Sequence, residues 1–141
     1  MFDITDRHVI VTGSNRGNGL KIATSLIDHG AKVIRIDKEF NTEIGADDYI
    51  VDFSDLAKLG NLVDEILATI PAIDALVNNA GVSLASEDPY KDMGTYEKTI
   101  DINLNATFIL TSKICSFMKD TGTHGSIINI TSLGATMAFS K

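Results

Sequence analysis

Two hydrophobic periods alternate along this chain. Short runs dense in apolar residues, His8–Val11, Lys32–Ile36, Asp48–Phe53, Ile73–Val77 and Ile127–Ile130, have the length and β-branched content of buried strands. Between them apolar residues recur every three or four positions. Leu20, Ala23, Thr24 and Ile27 trace one helix, and Leu56, Leu59, Val63, Ile66, Leu67 and Ile70 trace a second. A longer pattern from Tyr90 to Lys119 carries Ile100, Leu104, Phe108, Ile114 and Met118. Punctuation agrees with these limits: His29 and Gly30 read as a helix C-terminus, Ser54 as an N-cap, Pro71 as a stop and Gly122–Gly125 as a turn. Strands separated by helices pair in parallel through right-handed crossovers. The pattern predicts an α/β fold in three layers, a doubly wound parallel sheet of order 3-2-1-4-5.

The chemistry concentrates where the first strand meets the first helix, in Thr12–Gly19, TGSNRGNG. The first N–H groups of a helix have no partner within it, and with the positive end of the helix dipole they bind an anion. A pyrophosphate suits this turn. Gly13 lets the chain turn, Gly17 lets backbone approach a phosphate, and Gly19 lets the helix pack on the strand, while Ser14, Asn15, Arg16 and Asn18 complete the loop. A mononucleotide P-loop would need Lys followed by Ser or Thr after the last glycine; here Leu20, Lys21 and Ile22 follow. A dinucleotide fold instead wants an acidic residue about 20 positions on, at the end of the second strand, to bind the adenosine ribose. Asp37 stands there. Its carboxylate would repel a 2′-phosphate, which favours NAD over NADP, although Arg16 and Lys38 soften the discrimination. This combination makes the sheet Rossmann-type.

Composition narrows the setting. With 141 residues, 44% of them apolar, the chain can bury one core, so residues 1–141 are read as a single domain. A net charge of −7 argues against a nucleic-acid surface. The one cysteine, Cys115, fits a reducing compartment and is expected as buried helix filler. No apolar run reaches the roughly 18 residues of a membrane span. The first residues lack the features of a signal peptide, so a cytoplasmic location is expected. His8, His29 and His124 lie far apart and lack metal-ligand spacing.

Taken together, TGSNRGNG, Asp37, Asp52 after the third strand, NNAG at Asn78–Gly81, Asn103 in the long helix and IINITS at Ile127–Ser132 resemble the short-chain dehydrogenase/reductase family. Asn18 departs from it, since the family usually carries Ile there. The resemblance implies a nicotinamide cofactor and hydride transfer between a small-molecule carbonyl and an alcohol. It implies that Asp52 and Phe53 meet the adenine, that Asn79, Ala80 and Gly81 shape the fourth strand's end beside the cofactor, and that Thr131 lies near it. By the same resemblance Asn103 holds a water in a proton relay and Ser132 hydrogen-bonds the substrate oxygen. Taken singly, Asn103 reads as a polar residue kinking a helix, and Ser132 as a loop hydroxyl.

In that family the acid/base is a Tyr roughly a dozen residues after the Ser, with a Lys four positions further that lowers a phenolic pKa of about 10 toward neutrality. From Ser132 that position lies beyond Lys141, and Tyr49, Tyr90 and Tyr96 all precede it. Met137–Lys141, MAFSK, has the frame but follows Ser132 too closely, and Met transfers no proton. The expectation is therefore a domain incomplete at its C-terminal end, inactive alone, whose exposed fifth strand and long helix drive self-association into a homo-oligomer. A module that binds dinucleotide without catalysis is the alternative, and a fragment without ligand a third. Ser83–Asp92 supplies one polar wall, too little to identify the substrate.

Overall fold

The computed structural model describes residues 3–84, 88 and 91–132. Five strands, β1 (His8–Thr12), β2 (Lys32–Asp37), β3 (Asp48–Ile50), β4 (Ala75–Asn78) and β5 (Ser126–Asn129), form one parallel sheet of order β3-β2-β1-β4-β5. The order is the one that the alternation of strands and helices predicts. Helices α1 (Gly17–Asp28), α2 (Leu56–Thr69), α3 (Met93–Ile100) and α4 (Ala106–Asp120) connect all but β2 and β3, which are joined by a loop without a helix, and a π-helical turn, Asp101–Asn105, lies between the last two helices.

Strand periodicity sorts the core into two faces. Ile10, Ile34, Ile36 and Leu76 point to one side, where Leu59, Val63 and Ile66 of α2 and Leu110, Ile114 and Met118 of α4 cover them. Val9, Val11, Val33 and Val77 point to the other and meet Ala23 of α1. This is a three-layer arrangement. His29 closes α1 and Gly30 takes φ +88°, the left-handed C-terminal stop expected from the sequence.

Several boundaries move. The third strand ends at Ile50, short of Phe53, because the Asp52 carboxylate accepts from both Ser54 N–H and Oγ and turns the chain. Ser54 is thereby occupied, and the N-cap of α2 is Asp55, whose carboxylate accepts the Lys58 N–H at 3.1 Å. Along the long helix the π turn adds a residue and rotates the apolar face. The buried stripe is Ile102, Ala106, Leu110, Ile114 and Met118, while Leu104 and Phe108 are exposed. Cys115 is exposed too, not the buried filler expected. On α1, Ile27 is half-exposed. The long pattern's first residue, Tyr90, and the segment Met137–Lys141 lie outside the described residues.

The edge of the sheet holds a charged pair. Arg35 on β2 donates to the Asp48 carboxylate on β3, its Nε at 2.6 Å, and its guanidinium stacks 4.9 Å from the Phe40 ring centroid. Burial alone would raise the Asp48 pKa, but the Arg35 hydrogen bonds, then the Gly45 N–H and the Arg35 charge, outweigh it and hold it below the usual carboxylate value. A depressed folded-state pKa contributes stability at neutral pH that is lost as pH falls below about 4. Asp48→Asn is expected to cost about 2 kcal/mol at pH 7 in urea unfolding. It is also expected to flatten part of the acid-side loss seen in the parent chain.

Gly19 fixes the approach of α1 to β1. A Cβ there would overlap the Gly13 carbonyl and reach 2.5 Å from Asn79 Nδ2. Gly19→Ala is expected to destabilise by about 1–3 kcal/mol, as overpacking does, read as a lower thermal midpoint.

Candidate functional site

The carboxyl ends of β1 and β4 are tied together before any side chain meets solvent. Thr12, 1% exposed, accepts on Oγ1 from the N–H groups of Asn79 and Ala80, each at 3.0 Å. In return Asn79 Nδ2 donates to the carbonyls of Thr12 and Gly13, both at 3.0 Å. Both amide hydrogens of Asn79 are thus committed to holding the two loops in register. Gly13 must be glycine in this knot, since a Cβ would stand 2.8 Å from Ala80 Cα.

Above the knot opens a cavity of about 310 Å³. The glycine loop forms its floor through Gly13, Asn15, Arg16, Gly17 and Asn18. One wall is Asp37, Lys38 and Glu39 from the end of β2, another Asp52 and Phe53, and a third Asn79, Ala80, Gly81, Val82 and Ile102. Most of the sequence-predicted site residues therefore converge from four separate segments. Lys38, named in the sequence for its charge beside Asp37, joins them. So do Glu39, Val82 and Ile102, for which position near Asp37, NNAG and Asn103 is the only sequence signal.

The floor is built for an anion. No side chain caps α1, no acidic residue stands in its first turn, and its first internal bond runs from Leu20 N–H to Arg16 C=O. The N–H groups of Gly17 and Asn18 precede that bond and find no carbonyl within the helix. Gly17 sits at φ +57°, and a Cβ there would meet no protein atom within 4 Å, so the space beside it is open to a ligand. A phosphate fits these features by charge and by shape.

Asp37, at 9% exposure, is the buried charge of the site. Its Oδ2 accepts the Asn15 N–H at 2.8 Å and its Oδ1 the Lys38 N–H at 2.7 Å. Each oxygen keeps a lone pair, so the oriented carboxylate can still accept from two hydroxyls. Asp52, opposite, has its pKa lowered by the Ser54 N–H and hydroxyl, against a smaller effect of burial, with help from Lys98 and Lys38.

Other predicted residues stand apart from the cavity. Ser14 is fully buried and Gly19 lies beneath the loop. Asn103, on the π turn, does not line the cavity. Its Oδ1 accepts the Val82 N–H and its Nδ2 donates to the Val82 carbonyl, each at 2.8 Å, which pins the wall that Val82 forms. Thr131 and Ser132 lie just past β5, after Ile130, and are exposed. The polar wall Ser83–Asp92 lies partly outside the described residues. Asn78 links β4 to its neighbours, donating to Asn129 Oδ1 at 2.9 Å and Thr111 Oγ1 at 3.1 Å, and so places the start of the segment that leads to Ser132.

Known proteins share the sequence pattern and the fold. The chain is 31% identical to an NAD-dependent glycerol dehydrogenase of Listeria innocua, over 99% of this chain and 58% of that one. It is 34% identical to the NADP-dependent 3-hydroxy acid dehydrogenase YdfG of Escherichia coli, over 86% and 52%. In structure it is similar to the ligand-free aldohexose dehydrogenase of Thermoplasma acidophilum, with a TM-score of 0.83 at 31% identity, covering 94% of this chain and 52% of that one. The chain thus spans about half the length of the relatives it matches. Residues 7–141 match the short chain dehydrogenase family, and the chain belongs to that family.

Proposed function

We propose that this chain is the cofactor-binding part of an NAD-dependent oxidoreductase that interconverts a small-molecule carbonyl and an alcohol. One observation carries the reading: a buried carboxylate, Asp37, is held by two backbone N–H groups on the cavity wall facing an uncapped helix N-terminus. The first group suits a ribose diol and the second a pyrophosphate. Ribose and pyrophosphate are adjoining groups of an adenosine diphosphate moiety.

In this reading Gly17 and Asn18 N–H groups bind the pyrophosphate, with Arg16 at the rim. Asp37 accepts from the ribose hydroxyls, and Phe53 and Asp52 border the adenine. The nicotinamide, when bound, supplies the hydride acceptor or donor. Asn79, Ala80 and Gly81 direct the cofactor along the end of β4, and Asn103 holds Val82 so that this wall stays in place. Thr131 and Ser132, at the end of β5, are where the substrate oxygen would be met. A Tyr and Lys in a continuing chain would supply the proton transfer that no described residue is placed to perform, so the 141 residues alone would bind without turnover.

NAD is favoured over NADP because a 2′-phosphate would bring negative charge against Asp37, with Glu39 and Asp52 on the same cavity. Relatives of both dependencies exist, so the preference rests on these residues. A cytoplasmic setting and a homo-oligomer belong to the proposal as well. No helix among the described residues is long and apolar enough to cross a membrane. Phe108 at 69% exposure, with Ile128 at 46% on the outer strand and Ile130 at 45% just after it, supports self-association. Gel filtration is expected to give a dimer or larger species, and a clean monomer would count against it.

Fluorescence titration tests the cofactor reading. NADH is expected to saturate the chain at least tenfold more tightly than NADPH. Asp37→Ala is expected to weaken NADH by about 10- to 100-fold, the range for hydrogen bonds to a charged group. Folded protein that ignores both nucleotides would overturn the proposal.

A further inference from the structure

Asn18 is the residue at which the glycine loop departs from the family pattern, and the fold gives its side chain nothing to hold. It is the second residue of α1, it is exposed, and it lines the cavity. No hydrogen bond ties its carboxamide to any described residue. A helix tilts each Cα–Cβ bond toward its own N-terminus, so a side chain in the first turn leans over the end where the unpaired N–H groups lie. The space beside Gly17, which precedes it, is open at that end.

The charges around the cavity make neutral donors matter. Asp37, Glu39 and Asp52 line it together with Arg16 and Lys38, so the ionised side chains together offer an anion no net attraction. An anion held there depends on donors that carry no charge of their own. The N–H groups of Gly17 and Asn18 are two of these. Asn18 Nδ2, with two hydrogens and no partner, is a third at the same end. Against an ionised phosphate such a donor makes a charge-assisted bond, stronger than one between neutral groups. We propose that the Asn18 side chain is itself a pyrophosphate ligand, its Nδ2 donating to a phosphate oxygen beside the one that its backbone N–H binds. The proposal rests on the dinucleotide reading above and deepens it, because part of the anion affinity then lies in a side chain and not in the loop backbone.

Asn18→Leu keeps the size of the side chain and removes its donor. The carboxamide has no partner in the free protein, so the thermal midpoint of this variant is expected not to fall. NADH is followed by fluorescence titration, and ADP-ribose and adenosine by competition against it. In Asn18→Leu the dissociation constants for NADH and ADP-ribose are expected to rise together, by about five- to tenfold, while that for adenosine, which has no phosphate, stays as in the parent chain. Asn18→Asp puts a carboxylate in the first turn, where the helix dipole favours it. Its free form is expected to melt higher than the parent and to bind NADH and ADP-ribose more weakly than Asn18→Leu does. Unchanged binding of NADH and ADP-ribose by either variant would overturn the proposal and leave the dinucleotide reading standing. So would a loss for NADH alone, which would assign the side chain to the nicotinamide half, or an equal loss for adenosine with a lowered midpoint, which would mark a structural role. A parent chain that binds neither NADH nor ADP-ribose would remove the dinucleotide reading and this inference with it. Should Asn18→Leu fail to fold, Asn18→Ala takes its place, since it too lacks the donor.

Discussion

The site depends on the knot between Thr12 and Asn79. Two parallel strands that are neighbours in the sheet but far apart in sequence end in loops, and loops left to themselves diverge. Here a buried hydroxyl accepts two backbone N–H groups from one loop, and a carboxamide returns two hydrogen bonds to the carbonyls of the other. Buried groups satisfied in both directions stiffen what they join, because breaking any one of them leaves a desolvated partner. The glycine loop can then expose unpaired N–H groups to an anion without collapsing, since its shape is imposed from below.

From that base the rest follows in layers. Gly13 and Gly19 permit the close contact of α1 with the knot, and the contact places the first turn of α1 at the cavity floor. Asp37 is oriented by the loop itself through the Asn15 N–H, so the glycine loop and the Asp37 wall of the cavity are joined directly. Asn103 extends the same logic to the far wall, using a π turn to aim a carboxamide at the Val82 backbone. The functional surface is held largely by side-chain bonds to backbone, with the hydrophobic core beneath it setting only the strand ends.

That division explains what could be read from the chain. Strand order, layering and the convergence of Gly13, Gly17, Asp37 and Asn79 were legible, because period-2 and period-3.6 patterns and glycine spacing are local signals of steric need. The rotation of the long helix was not. A π turn adds one residue without any local marker, and it sent Leu104 and Phe108 outward and Ile102 and Ala106 inward. Cap competition misled at Ser54, where Asp52 claimed the hydroxyl and Asp55 took the cap. The Asn15 bond to Asn41 was invisible for a different reason: a carboxamide meeting a backbone N–H across two loops leaves no period at all. The fifth strand stands at the edge of the sheet, with Ile128 exposed and Ile127 packed against the core.

The central claim is that one rigid cavity, floored by the glycine loop and walled by Asp37 and Val82, receives the dinucleotide. Residue-resolved amide shifts on addition of NADH test it most directly. The account predicts concerted shifts at Gly13–Gly19, Lys38, Phe53 and Gly81–Val82, all saturating with one dissociation constant. Shifts confined to the outer faces of α2 or α4, with the glycine loop silent, would contradict it.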